Sequence, residues 1–273
     1  MGTLFVVATP IGNLQDFTPR AIETLKGVSL IAAEDTRHSG TLRTTFDIST
    51  PMVSYHHHNR SRREQHLLEA LDSGDVALIS DAGTPAIADP GQEIVAAAHA
   101  AGHRVVPIPG ASAAIAAVSA SGLVTGPFIF LGFVERKGEG RRLALEKARQ
   151  TSWPVVLFES PQRLVETLAD LRDVFGDASS IVARELTKLH EEIVPGTLTE
   201  LETHFTRSEV RGEIVIVVGE SDVVADDIDL ASVARRLLAE GLKPSKAARE
   251  LAGIANIGSD EAYALIRGLR DTD

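Results

Sequence analysis

The residues with the clearest chemical potential lie in the stretch SDAGTPAIADPG at positions 80–91. Asp81 and Asp89 can accept hydrogen bonds, and Gly83 and Gly91 allow the backbone to approach a ligand closely. The stretch follows an apolar run and precedes an amphipathic one, so it joins a buried strand to a helix. Ligands bind open α/β sheets at such corners, beyond the carboxyl ends of the strands. A solvated loop explains the same composition, and this stretch alone does not decide between the two.

Three further corners have a similar composition: TPIGNLQD (9–16), EDTR (34–37) and PGAS (109–112). Each follows an apolar run that predicts a strand. In a parallel sheet, such corners meet at one edge. We therefore expect a crevice lined with Gly, Pro, Ser, Thr and Asp, which suits a polar small molecule with a flat ring better than a hard cation. The sequence lacks both the G-x-G-x-x-G fingerprint and the P-loop lysine pattern, which disfavours NAD binding and ATP hydrolysis.

The elements that position these corners alternate between strand and helix, which predicts an α/β fold with a parallel sheet over an N-terminal domain, residues 1–124. Thr18 and Pro19 predict the start of the first helix. Residues 125–221 alternate less regularly and predict a second α/β domain with a mixed sheet. Three short helical patterns follow an acidic linker and predict a helical domain at 228–273. A helix-turn-helix module and a helical cap on the second domain both fit that pattern.

The composition excludes several classes of protein. The chain has 273 residues, no cysteine and a net charge of −11. It therefore has no disulfides, thiolate zinc sites or cysteine nucleophiles. The start of the chain lacks a positive n-region, so we expect no export signal or membrane anchor and a cytoplasmic location. The charge is uneven, because residues 136–149 carry six basic against two acidic side chains and residues 235–249 five against one.

Eight blocks occur in order along the chain: TPIGNLQD, AEDTR, SDAGTPAIADPG, PGASA, GFVERK, ESPQR, ARELTK…EE and GEIVIVVG. Over about residues 3–219 they resemble the signature blocks of the ribosomal small subunit methyltransferase I family, in the tetrapyrrole methylase superfamily. The C-terminal helices resemble the helix-turn-helix domain of that family. Ala86, Ala88 and Glu135 depart from the expected pattern and affect only local loop shape.

The resemblance implies an S-adenosylmethionine-dependent enzyme that methylates a cytidine ribose 2′-hydroxyl in 16S ribosomal RNA. It also implies a homodimer whose cofactor lies in the cleft between two α/β domains. Carried over by position, the residues expected to bind the cofactor are Pro10, Gly12, Asp81, Gly83, Thr84, Pro85, Ser112, Ala113, Phe158 and Ala183.

Methylating a hydroxyl requires in-line positioning and can be assisted by a base. Asp35, Glu185 and Lys188 are the catalytic candidates, with Glu159 as a further carboxylate. A lysine base must be desolvated to lose its proton near neutral pH. For the residues of ARELTK, a salt-bridged loop is the competing interpretation.

Five arginines are candidates for binding the RNA substrate: Arg37, Arg60, Arg141, Arg142 and Arg184. His56, His57 and His58 suggest a metal, but three consecutive residues do not readily face one ion, and we expect no metal site. An RNA-facing loop fits the histidines better. The basic segments are compatible with phosphate binding, although solvated helix faces have the same composition.

Two other functions remain compatible with the sequence. One is a small-molecule methyltransferase acting on a tetrapyrrole through the same cleft, which needs no basic C-terminal helices. The other is a helix-turn-helix regulator that senses a ligand in the cleft, binds duplex DNA and transfers no methyl group.

Overall fold

The structure is a computed structural model that describes residues 1–56, 60–207, 209–220, 230–239, 242–255 and 257–270. Within these ranges the side chains of residues 60–62, 231, 232, 236, 239, 254, 255 and 270 are not described. The chain divides into two compact units, Met1–Ser221 and Asp222–Asp273. No helix among the described residues has both the length and the apolar character to cross a membrane.

The first sheet has five parallel strands in the order β3-β2-β4-β1-β5. The strands are β1 Thr3–Val7, β2 Leu30–Ala33, β3 Met52–Ser54, β4 Val76–Ile79 and β5 Arg104–Ile108. The helices of this part are α1 Pro19–Gly27, α2 Gly40–Thr45, α3 Arg60–Ser73, α4 Gln92–Ala100 and α5 Ala113–Ser121. All four residues of β4 are buried, as expected for a parallel strand covered on both faces.

The second sheet is mixed, with the strand order β6-β7-β10-β8-β9. Its strands are β6 Ile129–Phe133, β7 Val155–Glu159, β8 Ser179–Arg184, β9 Glu192–Thr197 and β10 Ile214–Val218. Only β6 and β7 pair in parallel, and the other neighbours are antiparallel. The helices of this part are α6 Glu139–Arg149, α7 Leu164–Phe175 and α8 Leu198–Thr206. The predicted α/β class and the mixed sheet are thus confirmed.

Helix starts follow local sequence signals. Thr18 accepts a hydrogen bond from the backbone N–H of Ala21 at 3.2 Å, with Pro19 in the first turn, as predicted. Thr197 and Glu200 form a reciprocal capping box at the start of α8. Not every element has such a signal. The polar segment 38–60 contains α2 and β3, and α6 begins at Glu139 within the basic segment that the sequence marks.

Helix α5 packs against the second sheet. Ala114 and Ala117 form one buried cluster with Val156, Ile181 and Val215 of that sheet, and Ile11 of the β1 corner belongs to the same cluster. The sheets lie on either side of the boundary predicted near residue 125, yet this cluster joins α5 and the β1 corner to the second sheet within the single unit Met1–Ser221. Their division into two domains stays a prediction.

The C-terminal unit contains three helices, α9 Leu230–Ala239, α10 Pro244–Ala255 and α11 Ser259–Arg270. Their shared core includes Ala234, Leu237, Leu251 and Ile266. The three predicted helices are therefore present, with boundaries close to those expected.

Candidate active site

The corners that follow β1, β4 and β5 are hydrogen-bonded to one another at the carboxyl edge of the first sheet. Thr9 and Gly83 exchange backbone hydrogen bonds of 2.9 and 3.1 Å. The hydroxyl of Thr84 donates to the carbonyl of Ala111 at 3.2 Å. These contacts confirm the prediction that the corners converge. The corners meet because the strands that end there are parallel.

Asp81 links the remaining corner, after β2, to this group. One carboxylate oxygen of Asp81 accepts a hydrogen bond from the backbone N–H of Asp35 at 3.1 Å. The backbone N–H of Asp81 donates to Glu34 Oε2 at 3.3 Å. The half-buried Asp81 therefore holds two loops together beside Ala82, which lines the cleft described next.

A cleft of about 340 Å³ opens between this edge and the second sheet. Its size and mostly apolar walls are typical of small-molecule sites. Five of the predicted cofactor residues line the cleft: Gly83, Thr84, Ser112, Ala113 and Phe158.

The other five predicted cofactor residues lie beside the cleft or beneath its wall: Pro10, Gly12, Asp81, Pro85 and Ala183. Pro10 and Gly12 flank the lining residue Ile11. Ala183 is buried in β8 and pairs with Val215, which lines the cleft. These five residues can shape the walls, and the cofactor role of all ten stays a prediction.

Gly83 forms a close backbone cradle. Its φ of +75° lies in the region that favours glycine. A Cβ added at Gly83 would stand 3.3 Å from Ile11 Cγ2. The corner therefore keeps its backbone open toward the cleft only with glycine at this position.

Ser112 occupies the N-cap position of α5 and lines the cleft. It precedes Ala113 at the helix N-terminus, and its side chain makes no capping hydrogen bond. The first turn of a helix presents unpaired N–H groups and a partial positive charge. This end of the cleft is therefore suited to an anionic group such as a carboxylate.

Asp89 places a carboxyl group in the cleft. Burial raises the pKa of Asp89, a hydrogen bond with Ser80 opposes the change, and the charge of Asp81 adds to it. A partly desolvated carboxylate in a cleft favours a cationic ligand, which would restore its ionised form.

Asp35 is paired with a neighbouring arginine. The side chain of Arg37 donates to its two carboxylate oxygens at 3.2 and 2.8 Å. These hydrogen bonds, with the backbone N–H of Arg37, hold the pKa of Asp35 at about 2. Asp35 thus forms an ion pair with Arg37 at the β2 corner, which disfavours its use as a base, and its catalytic role stays a prediction.

Glu185, Lys188 and Glu213 form a charged cluster at the cleft. Lys188 Nζ lies 2.8 Å from Glu185 Oε1 and 3.1 Å from Glu213 Oε2. The backbone N–H of Glu213 donates to Glu185 Oε1 at 3.0 Å. Glu213 lines the cleft, and so does Leu186 between the two other members.

Lys188 is held in its charged form. Burial lowers the pKa of Lys188, but hydrogen bonds to Glu185 and Glu213 outweigh that effect and raise it overall. The hydrogen bond from Lys188 and that from the backbone of Glu213 lower the pKa of Glu185. This arrangement favours the charged form of both side chains, and the catalytic role of Glu185 and Lys188 stays a prediction.

The loop that carries this cluster is conformationally strained. Glu185 and Thr187 have φ values of +53° and +68°, which non-glycine residues rarely adopt. The hydroxyl of Thr187 accepts a hydrogen bond from the backbone N–H of Asn13 at 3.1 Å. A Cβ at Gly12 would clash with Lys188. The strained loop therefore packs against the β1 corner, and such strain is concentrated at functional sites.

Arg141 is buried, which corrects its assignment to RNA binding. Its guanidinium lies 2.6 Å from Asp170 Oδ2 and donates to Thr167 Oγ1 at 2.9 Å. It also lies 3.9 Å from Glu159 Oε2. Glu159 is itself buried and accepts from Arg163 at 3.0 Å. These groups form an internal network that reaches the cleft through the lining residue Glu159, and Arg141 is not free to meet RNA.

The remaining predicted arginines differ in accessibility. Arg184 is bound to Glu192 at 2.7 Å and to the carbonyl of Arg211, which is the salt-bridged alternative considered above. Arg37 is exposed but paired with Asp35. The side chain of Arg142 is 71% exposed. The side chain of Arg60 lies outside the described residues.

The histidines add no metal site to the described part of the structure. His57 and His58 lie outside the described residues. Among those described, no group of three or more His, Cys, Asp or Glu could hold a metal ion.

Several cleft residues were not predicted from sequence as site residues: Ile87, Phe133, Leu186, Gly212 and Glu213. Asp89 was noted as a hydrogen-bond acceptor but not placed among the cofactor residues. Ile87 and Asp89 lie within the stretch 80–91, and their place in that corner was the available signal. The others lie in β6 or in the loops next to β8 and β10. Antiparallel pairing of β8 with β10 brings those two loops together although they are distant in the chain, so no local signal in the sequence marks them.

The architecture and the cleft between two sheets define a class of methylase. The family model "Tetrapyrrole (Corrin/Porphyrin) Methylases" matches residues 3–202. Solved structures agree in fold: a cobalt precorrin-4 methyltransferase has a TM-score of 0.62 at 17% identity, with 80% of this chain and 94% of that one covered. Uroporphyrin-III C-methyltransferase from Thermus thermophilus, complexed with S-adenyl homocysteine, has 0.57 at 19%, covering 81% and 98%. At these identities the likeness shows the fold alone.

Sequence relatives narrow the class. A "Ribosomal RNA small subunit methyltransferase I" of Synechocystis sp. is 48% identical over 271 residues, covering 97% of each chain. The protein of the same name from Pseudomonas aeruginosa is 45% identical over 273 residues, covering 96% of this chain and 95% of the relative. The chain belongs to the ribosomal RNA small subunit methyltransferase I family, within the tetrapyrrole methylases.

Proposed function

We propose that this chain transfers a methyl group from S-adenosylmethionine to the ribose 2′-hydroxyl of a cytidine in 16S ribosomal RNA. The observation that carries the proposal is the cleft, where the corners of a parallel sheet face a charged cluster on a second sheet. Membership of a family whose members are named small-subunit rRNA methyltransferases supports the methyl donor and the RNA class. The 2′-hydroxyl and the cytidine come from the resemblance of the signature blocks.

The residues of the cleft fit the methyl donor. The backbone cradle at Gly83 admits a close ligand, the N-terminus of α5 at Ser112 suits its carboxylate, and Asp89 offers a partly buried negative charge. Phe158 supplies an aromatic wall. When bound, S-adenosylmethionine supplies an electrophilic methyl group on a positively charged sulfur, which Asp89 is suited to stabilise.

The charged cluster acts on the accepting hydroxyl. A hydroxyl near a fixed ammonium loses its proton more readily, since a nearby positive charge favours the ionised form. Lys188, held charged by Glu185 and Glu213, supplies that ammonium. In this proposal the oxygen of the hydroxyl takes the methyl group, S-adenosylhomocysteine leaves, and the hydroxyl proton passes to solvent water. Lys188 stabilises the developing oxyanion, Glu185 positions Lys188, and most of the rate comes from alignment of the reacting atoms.

The RNA is held by exposed cations outside the cleft. Arg142 is exposed on α6, and Arg136 and Lys137 are exposed on the loop before it. Among the described side chains of the C-terminal unit five basic ones are exposed: Arg235, Lys243, Lys246, Arg249 and Arg267. Phosphate contacts of this kind give sequence-independent affinity that falls with salt.

The rival functions have less support. The first turn of α11, the helix that would read DNA in a helix-turn-helix regulator, carries exposed Asp260 and Glu261, which repel phosphate. The chain also belongs to a family of methyltransferases. A tetrapyrrole substrate fits the fold, but relatives nearly half identical over almost the whole chain are named for ribosomal RNA.

We further propose a cytoplasmic homodimer. The exposed apolar side chains of Ile115 and Leu189 are suited to contact with a second copy. A cytoplasmic location follows from a ribosomal substrate. Sedimentation of the purified protein tests the dimer.

The decisive experiment is a transfer assay. Purified protein is incubated with methyl-labelled S-adenosylmethionine and immature small subunits, and the labelled RNA is digested to nucleosides. Label in 2′-O-methylcytidine supports the proposal. Label on a base, on a tetrapyrrole offered in parallel, or on no substrate overturns it.

A further inference from the structure

Phe133 stands at the mouth of the cleft with 61% of its surface exposed. A single exposed apolar residue needs no explanation. Phe133 is different, because Ile87 from the first sheet's corner lines the same cleft and is 58% exposed. Two large apolar side chains, one from a corner of the first sheet and one from a strand of the second, therefore line one cleft.

The backbone of β6 contains an irregularity that places Phe133 there. The register of β6 against β7 shifts between Phe130 and Gly132, so that Leu131 is an extra residue. Gly132 has a φ of +60°. Such a bulge beside a site commonly redirects a side chain.

The consequence of the bulge is a change of face. In a regular strand, residues three apart point to opposite faces. Phe130 is instead paired with Val156 and Phe133 with Phe158, two residues on the same face of β7. Without the extra residue, Phe133 would point away from the cleft.

The ring of Phe133 is held on one side only. Its centroid lies 5.5 Å from that of Phe158 at an interplanar angle of 62°, and Phe158 in turn lies 5.0 Å from Phe130 at 70°. These edge-to-face contacts fix the orientation of the ring while much of it remains open to solvent.

Positive charge lies next to this ring in the chain. Arg136 and Lys137 follow Phe133 by three and four residues, and both are exposed. An aromatic platform beside cations is the combination that binds unpaired nucleic acid, where bases stack and phosphates are neutralised.

We propose that Phe133 is the platform on which an unpaired base of the RNA substrate stacks as the target nucleotide enters the cleft. The inference rests on the proposed function. Chemistry within a cleft requires the nucleotide to leave its neighbours in the strand, and stacking on a fixed ring compensates for the lost stacking. Ile87 adds a second exposed apolar side chain to the lining of the same cleft.

The test compares Phe133→Ala, Phe133→Leu and Phe133→Trp with the wild type, and uses Trp153→Ala as a matched control at another exposed aromatic outside the cleft lining. We expect Ala and Leu to raise the KM for immature subunits about 10- to 100-fold, which corresponds to the loss of one stacked base. In both variants we expect the dissociation constant for S-adenosylmethionine to stay within about twofold of the wild-type value. Phe133→Trp should keep the KM near the wild-type value, because it retains an aromatic ring. Trp153→Ala should leave the KM unchanged.

Three results overturn the inference. An unchanged KM with Phe133→Ala removes the platform. A loss of S-adenosylmethionine affinity assigns the ring to the cofactor, and a changed sedimentation coefficient assigns it to a second copy. If the wild type labels no RNA, the proposed function itself fails and the inference with it, whereas a labelling wild type with an unaffected Phe133→Ala variant refutes the platform alone.

Discussion

The ammonium of Lys188 lies 2.8 Å from a carboxylate oxygen of Glu185, and both belong to a loop that packs against Gly12 at the first sheet's edge. The pair is held in one geometry by a backbone with two positive φ values. It therefore holds a fixed positive charge 3.1 Å from Glu213, which lines the cleft, where a lysine base would require an uncharged side chain.

Lys188→Met removes this charge. We expect kcat to fall about 100- to 1,000-fold, as for other lost donors to a developing oxyanion, while the dissociation constant for S-adenosylmethionine changes little. Single-turnover transfer and calorimetry measure the two quantities. Lys26→Met, at an exposed lysine at the end of α1, is the control. Unchanged turnover in Lys188→Met would remove this residue from the chemistry.

Asp89 predicts a pH dependence of stability. Below the pKa that Asp89 has in the unfolded chain, its carboxyl group is protonated in both the folded and the unfolded state. Because burial raises the pKa in the folded state, ionising the buried group costs free energy, and the protein loses stability as the pH rises through the folded pKa. Asp89→Asn should therefore raise the melting temperature of the ligand-free protein at pH 7 but not at pH 3.

The same substitution should weaken binding of the cationic methyl donor, because the carboxylate that faces it is lost. Calorimetry at pH 7 measures this effect. Equal melting temperatures at pH 7, or an unchanged affinity, would contradict the role given to Asp89.

Arg141 and Arg142 are neighbours in the chain with opposite expected effects. Arg141→Met removes a buried guanidinium from its hydrogen bonds with Asp170 and Thr167, while Glu159 keeps Arg163 as a partner. It should lower the free energy of unfolding by about 1–3 kcal/mol. Arg142→Met should change it by less than about 0.5 kcal/mol. Urea unfolding of the two variants measures the difference, and equal midpoints would contradict the assigned burial.

RNA binding should be weakened more by Arg142→Met than by Arg141→Met. Arg142→Met should reduce the slope of log affinity against log salt by about 0.7, the value for one contact on a single strand. A filter-binding titration of each stable variant gives the slope. A wild-type slope in Arg142→Met would exclude this side chain from the interface.

Gly83→Ala tests the backbone cradle. A Cβ at a φ of +75° is strained by roughly 1–3 kcal/mol, and it would press on Ile11 at 3.3 Å. We expect a marked loss of S-adenosylmethionine affinity with the fold retained. Gly27→Ala, where a Cβ meets nothing within 4 Å, is the control. Affinity equal to wild type in Gly83→Ala would show that no ligand approaches this corner.

Local sequence determined much of the scaffold. Apolar runs closed by Gly, Pro and Asp were sufficient to predict most strands, and their parallel order put the corners at 9–16 and 80–91 on one edge. Thr18 and Pro19 marked a helix start because capping depends on residues within one turn. β3 was missed because its three residues, MVS, are too few to form a periodic pattern.

The amino-acid sequence by itself determined the alternation of strand and helix, the convergence of the corners and the family, because these depend on neighbouring residues and on ordered blocks. Only the tertiary structure decided that Arg141 is buried while Arg142 is exposed, that Lys188 stays charged between Glu185 and Glu213, and that a bulge brings Phe133 to the cleft. Burial, pKa and side-chain direction depend on groups distant in the chain, and no local pattern encodes those distances.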